Sequence, residues 1–288
     1  MVAASLKITL PNEKITFDQI HTAFANSSHG KFLNQAVRYG RYQEVAGLAK
    51  EAWVALLGPD VNNLEHMTFT DGLTITFLNS CSQAVKKGNH NDAITFSPDE
   101  AVKLRLTARI HDWGESIKGH YDITFADKTI QDEEAEHKAL QRILRSKTRA
   151  VVTNKEDENA LVRLMRTALK EIATDRTTKL GKAFNAIERL GYLSTGIKAF
   201  EVRPIQEKKV SEGLAWLTTD VFLNQIEMLC SYKVSYPPVE EFLQHHKITI
   251  SDAFNDLPEE VFKYYPAEKR DSMKNRFTQV RKVWFASF

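Results

Sequence analysis

The chain has 288 residues, 42% of them hydrophobic and 26% charged, with a formal net charge of +2. Those fractions are ordinary for a soluble globular protein of one large or two smaller domains with a substantial core. A charge so near zero excludes a general pull toward nucleic acid or an anionic membrane, so any affinity for phosphate must come from a local site. No stretch approaches about 18 uninterrupted apolar residues, and no membrane span is expected. The two cysteines, Cys81 and Cys230, form neither a disulfide framework nor a zinc-ribbon spacing, and are expected as buried reduced thiols. The start, Met1 to Lys7, lacks the basic opening of a signal peptide. A cytoplasmic protein is the expectation.

In chain order, Leu6, Ile8 and Leu10 alternate with polar residues, Pro11-Asn12-Glu13 reads as a turn, and Ile15 and Phe17 resume. That pattern predicts a small β element. Residues about 31–57, with Phe32, Ala36, Val37, Tyr42, Val45, Leu48, Ala52 and Leu56, predict a helix that stops at Gly58-Pro59. Residues 62–87 are ambiguous. Met67 to Phe77, with Asp71-Gly72 in the middle, reads as a hairpin, while the continuation through Cys81, Ala84 and Val85 to two lysines and Gly88 reads as a helix end. Local chemistry leaves the two nearly even; the resemblance given below tips the choice to helix.

Ser97-Pro98-Asp99-Glu100 is a strong helix start, with Ser97 as N-cap and Glu100 closing a capping box. Its helix is expected to run through His111-Asp112 and end near Gly119. Residues 131–147, 156–174 and 178–200 predict three more helices. Arg203-Pro204 is the candidate boundary before a last amphipathic stretch, a Pro237-Pro238 break and short helical pieces. No internal repeat occurs.

The most informative string is Ala-Arg-Ile-His111-Asp112-Trp113-Gly114-Glu115. Neighbours on an α-helix point about 100° apart, so an imidazole and a carboxylate side by side converge on an ion only from a concave wall. Glu115, almost one turn on, can reach a water on that ion without being a ligand. Nitrogen and oxygen donors together suit divalent transition metals, whose charge acidifies water and offsets charge on a phosphoryl oxygen. A lone His-Asp pair more often ends a helix or faces solvent.

The company of that pair changes the balance. Leu64-Glu65-His66 precedes it, and Lys182-Ala183-Phe184-Asn185-Ala186-Ile187-Glu188 follows. Over roughly residues 60–200 this ordered set resembles the HD-domain metal-dependent phosphohydrolases, closest to their 5′-deoxynucleotidase-like branch. The resemblance implies that His66, His111 and Asp112 are metal ligands and that Glu115 orients or deprotonates the attacking water. The family's Gly-Asp-Ile stands here as Gly119-His120-Tyr121-Asp122-Ile123, two residues longer, which makes Asp122 the second catalytic acid. Lys128 sits where the family often has a lysine facing phosphate, and Arg41 or Arg38 could reach a substrate phosphate. Asn185 departs from the pattern, since the family's last ligand is an aspartate; Glu188 or Asp175 could substitute, or the metal function could have decayed.

Competing plain readings are a core histidine for His66, a solvated face for Glu115 and surface positions for Asp122, Lys128 and Arg41. Glu134-x-x-His137 has di-iron spacing but no second copy. Arg142, Arg145, Lys147 and Arg149 read as a solvated basic face, with nucleic-acid contact a minor alternative, and His245-His246 as surface. Trp216, Phe222, Leu223, Ile226 and Leu229 read as core or as an interface stripe, which keeps a homo-oligomer open.

Together these readings predict an all-α protein: an N-terminal β/helix element (1–30), an HD-type helical domain (31–203) and a C-terminal helical extension (204–288). The expected function is hydrolysis of nucleotide phosphate esters, nucleoside 5′-monophosphates first, with one divalent ion (Mn, Co, Fe, Ni, Zn or Mg). The alternative is a catalytically reduced HD domain that binds a nucleotide or a protein partner without turnover.

Overall fold

The structure, a computed structural model, describes residues 5–35, 43, 45–58, 62–87, 94–117, 129–202, 212–256 and 259–288. The fold is all-α with a small β element near the N-terminus and a helical C-terminal end. Strands β1 (Lys7–Thr9) and β2 (Lys14–Thr16) pair antiparallel with Ile8 opposite Ile15, both buried. Alternation puts one face of each strand inward, as the sequence predicts. Strand β2 runs straight into helix α1 (Phe17–Ala25), where the Thr16 amide donates to Gln19 Oε1 at 2.8 Å.

Helix α2 spans Ser28–Gln35 and α3 spans Lys50–Leu57. The continuous helix expected over about 31–57 is therefore broken. Gly47 sits at φ +63°, a conformation that an α-helix cannot continue through. Gly58 (φ +62°) ends α3, as expected.

Residues 62–87 form one helix, α4 (Asn63–Lys86), rather than a hairpin. Its strand-like threonines are accommodated because their hydroxyls bond back one turn. Thr74 Oγ1 donates to the Thr70 carbonyl at 2.8 Å and Thr76 Oγ1 to that of Gly72 at 3.1 Å. Helix α5 (Pro98–Ile110) starts at Ser97 as predicted, with the Glu100 amide on Ser97 Oγ and the Ser97 amide on Glu100 Oε2. It stops at Ile110, short of the expected end near Gly119, and a 3-10 helix (His111–Ser116) takes over. Gly119 lies outside the described residues.

Helix α6 (Ile130–Arg149) follows, then α7 (Lys155–Ala168) with a π-helical turn (Leu169–Thr174), then α8 (Lys179–Val202). The three predicted helices are present. Beyond them come α9 (Glu212–Trp216), a π-helical stretch (Leu217–Leu223), α10 (Asn224–Tyr232), α11 (Pro237–His245), α12 (Lys247–Asp256), a 3-10 helix (Glu259–Tyr264) and α13 (Ala267–Ser287). The Arg203-Pro204 boundary lies outside the described residues. Among the described residues no helix is long and apolar enough to cross a membrane.

Two compact units interleave along the chain. The first comprises Met1–Arg38, Pro59–Leu78 and Phe96–Asn185; the second comprises Tyr39–Gly58, Asn79–Thr95 and Ala186–Phe288. In the first, Trp113 stacks on Phe24 with ring centres 4.2 Å apart and planes 5° from parallel. In the second, buried Trp284 of α13 donates from its indole to Ser251 Oγ at 3.0 Å, and Arg276 pairs with Glu227 of α10 at 2.6 Å. Phe222, Leu223, Ile226 and Leu229 are buried within this unit, which makes them core rather than an interface stripe.

Candidate metal centre

The site is built on two helix ends. Asn62 caps α4, its Oδ1 accepting from the Glu65 amide at 2.9 Å, which places buried His66 in the first turn after the cap. Asp71, further along α4, bonds to Arg105 and Arg109 of α5, while His66 near the start of α4 lies 5.7 Å from His111 just past the end of α5, so the two helices run antiparallel. His111 and Asp112 follow that end.

Ile110 takes φ −126°, ψ −9°, and the chain tightens into the 3-10 helix. Two residues of the motif explain why. Trp113 is fully buried against α1, stacked on Phe24. Gly114 lies under α6: a Cβ there would stand 2.7 Å from the Glu136 carbonyl oxygen. Trp113 and Gly114 thus hold the segment between α1 and α6. The α-helical geometry expected for this motif is corrected accordingly. A 3-10 helix repeats every three residues, so Asp112 and Glu115 superpose on one side instead of lying offset.

The three expected ligands come together. Donor atoms of His66, His111 and Asp112 all lie within 4.8 Å of one another, the one such grouping among the described residues. His111 Nε2 is 3.2 Å and His66 Nε2 is 4.0 Å from Asp112 Oδ2. Ligands about 2.1 Å from one ion stand roughly 3–4 Å apart, so these separations fit a divalent cation with little rearrangement. The side chains of His66, His111 and Asp112 are only 5%, 8% and 16% exposed.

The tautomer of His111 follows from its other nitrogen. Nδ1 lies 3.0 Å from the Ala108 carbonyl, which only accepts, so Nδ1 carries a proton. Nε2 faces the Asp112 carboxylate, turning a lone pair toward it when the ring is neutral. Two lone pairs 3.2 Å apart need a cation between them, either a proton or a metal. Metal-bound histidines commonly fix their tautomer through such a carbonyl. The ring is also braced edge-on by Phe184, 5.4 Å away.

Glu115 is half-buried and accepts from Asn63 Nδ2 at 2.9 Å. Asn63, buried beside the α4 cap, was not among the expected site residues, and no local signal in the sequence joins it to Glu115. Asn185 is buried on α8 immediately after Phe184, the residue that touches His111. Asp175 is not its substitute. It is exposed, and its carboxylate takes the Thr177 hydroxyl (2.6 Å) and amide (3.0 Å), bonds that hold its pKa below the ordinary value. Asp122, His120, Lys128, Arg38 and Arg41 lie outside the described residues. Glu134 pairs with Lys138 on the exposed face of α6.

A polar network flanks the centre in the same helix pair. Asp71, fully buried, receives Arg105 through two bonds (2.9 and 3.0 Å) and Arg109 at 2.8 Å, and Arg109 reaches Asp18 of α1 at 2.9 Å. His21 stands in the field of these groups with its Nδ1 buried and without a hydrogen-bond partner. Burial first, and the Arg109 charge second, lower its pKa to about 4. No protein-family model, curated protein or solved structure matches this chain.

Proposed function

We propose that the protein is a divalent-metal-dependent phosphohydrolase acting on nucleotide phosphate esters, with nucleoside 5′-monophosphates the first substrates to test. The observation that carries this reading is the convergence of His66, His111 and Asp112, with His111 Nδ1 on the Ala108 carbonyl and Nε2 left to face the Asp112 carboxylate. The resemblance of the ordered motifs to HD-domain phosphohydrolases supports the substrate class.

His66, His111 and Asp112 would hold the ion, with Asn185 as a neutral fourth oxygen donor. A divalent ion there supplies Lewis acidity toward a phosphoryl oxygen and acidifies water. The chain's own residues do the rest. Ala108 fixes the His111 ring, and Trp113 keeps the 3-10 helix in place. Glu115, its Oε2 held by the Asn63 amide, takes the proton of the attacking water. Asp122 or His120 returns a proton to the leaving alkoxide, and Lys128 and Arg41 hold the substrate phosphate. Both cysteines are free, which supports a cytoplasmic setting.

The test is elemental analysis of gently purified protein together with phosphate release from a panel of nucleoside monophosphates. About one Mn, Fe, Co, Ni or Zn per chain is expected, lost in His111→Ala together with activity. Protein that carries no metal and does not respond to added Mn or Co would overturn the hydrolase reading. Metal binding with nucleotide retention but no phosphate release would favour the reduced binding domain instead.

A further inference from the structure

A second grouping of polar side chains takes no part in the metal centre. Asn159, Arg163, Arg166 and Thr167 recur at helical spacing along one face of α7. With Arg145 of α6 and buried Val162 they line a cleft of about 200 Å³. Three guanidinium groups thus border one small concavity.

Their charges are not answered among the described residues. Among the described residues, none of the three arginines forms an ion pair or a hydrogen bond, and the Arg166 Nε is buried without a partner. The carboxylates nearest in sequence are engaged elsewhere. Glu158 takes Arg149 at 3.2 Å and Lys155 at 2.9 Å, while Asp157 Oδ1 accepts the Asn12 amide at 3.0 Å. Like charges gathered around a cleft repel one another, and a multiply charged anion relieves that repulsion. The planar guanidinium fork matches phosphate oxygens two at a time, and Asn159 and Thr167 add neutral hydrogen-bonding groups at the rim. Drug-sized ligands occupy pockets from about 300 Å³ upward, so this cleft suits the phosphoryl end of a ligand rather than a whole nucleotide.

We propose that the cleft between α6 and α7 binds a small phosphoryl anion: orthophosphate, pyrophosphate or the terminal phosphate of a phosphorylated metabolite. A nucleic-acid backbone shares that chemistry, but its affinity rests on many phosphate contacts along an extended basic surface. The site here is a single concavity on a chain of net charge +2. The site is independent of the metal reading and stands or falls without it.

Inorganic pyrophosphate titrated into the full chain, with EDTA present so that the metal centre cannot take the anion, tests the assignment. Calorimetry should show saturable binding at one site per chain, and bound pyrophosphate should raise Tm. Arg163→Gln and Arg166→Gln should each weaken binding about tenfold, the value of one charge-assisted contact. Exposed Arg142→Gln, one turn from Arg145 but outside the cleft, should bind as the wild type does. Should Arg166→Gln fold poorly, Arg145→Gln and Arg163→Gln, both at exposed positions, carry the same test. No pyrophosphate binding, or equal binding in Arg163→Gln and Arg145→Gln, would overturn the proposal. So would a single-stranded oligonucleotide that binds through these arginines while pyrophosphate does not.

Discussion

The pair of helices α4 and α5 carries two buried polar clusters of opposite design. Midway along, buried Asp71 and Arg109, with Arg105 and the half-exposed Asp18 of α1, form a set of opposite charges joined by bonds of 2.8–3.0 Å. At the helix ends, His66, His111 and Asp112 gather electron-pair donors around a common point. The first cluster completes itself and serves the fold. The second could hold a cation, and that difference is why it is the candidate site. Burial and polarity are common to both; what separates them is the sign of the groups that converge.

The largest effect expected is at Glu115. If it moves a proton without holding the ion, Glu115→Ala keeps metal content while the hydrolysis rate falls about 10²–10⁴-fold, or about 3–5 kcal/mol in the barrier. Metal analysis and initial rates on the same preparation check both halves. Metal lost along with rate would enlarge the donor cluster to include Glu115.

Asp71→Ala examines the closed cluster. It leaves Arg105 and Arg109 facing each other in a buried site, and loss of one partner from such a set costs about 3–5 kcal/mol. Urea denaturation should show a large fall in midpoint at an unchanged slope. A loss of metal without loss of stability would reverse the roles assigned to the two clusters.

The same cluster carries a pH signature through His21, whose pKa is lowered from 6.5 to about 4 in the fold. The unfolded chain therefore takes up this proton first as pH falls. Stability from this group is full above about pH 6.5 and is lost between there and pH 4, amounting to about 3 kcal/mol. Comparing urea midpoints of wild type and His21→Phe across that window isolates it. Parallel pH profiles would remove His21 from the account.

What could be read in the sequence was what local chemistry decides. The Ser97 capping box, the short strands around Ile8 and Ile15 and the Gly58 stop each depend on a few adjacent residues, and each forms as expected. The His66, His111 and Asp112 grouping was expected from the resemblance of the ordered motifs to HD-domain phosphohydrolases, and their donor atoms do come together. The 3-10 helix was not, because Trp113 and Gly114 impose it through contacts with α1 and α6 that are distant in sequence. Nor was the Asp71 network: Asp71-Gly72 looks like a turn until α5 supplies two arginines. Asn63 went unread for the same reason, since its partner Glu115 belongs to another element.

Gly114→Ala tests that packing directly. Its Cβ would press on the Glu136 carbonyl at 2.7 Å, and overpacking of this kind costs about 1–3 kcal/mol. Because His111, Asp112 and Glu115 share the 3-10 helix, metal affinity should fall with stability. Weakened folding with unchanged metal binding would mean that the donor cluster does not depend on the α6 contact.

Asn185→Asp produces the smallest and most diagnostic change. Amide and carboxylate are nearly the same size, so α8 can keep its packing while the charge changes. If Asn185 supplies a neutral oxygen to the ion, a carboxylate should bind the cation more tightly, by about tenfold or 1.4 kcal/mol. Without an ion, a new buried charge at position 185, next to the Phe184 that touches His111, would instead be destabilising. The variant should therefore melt lower than wild type in EDTA and regain the difference when Mn or Co is added. An amide nitrogen can also donate to a substrate phosphate, and aspartate would replace that bond with repulsion. Metal affinity and nucleotide turnover must be titrated separately for this reason. Tighter metal with faster turnover would identify the wild type as a weakened hydrolase, whereas tighter metal with poorer nucleotide binding would assign the amide to the substrate. Unchanged metal affinity would remove Asn185 from the donor set and leave His66, His111 and Asp112 as the whole of it.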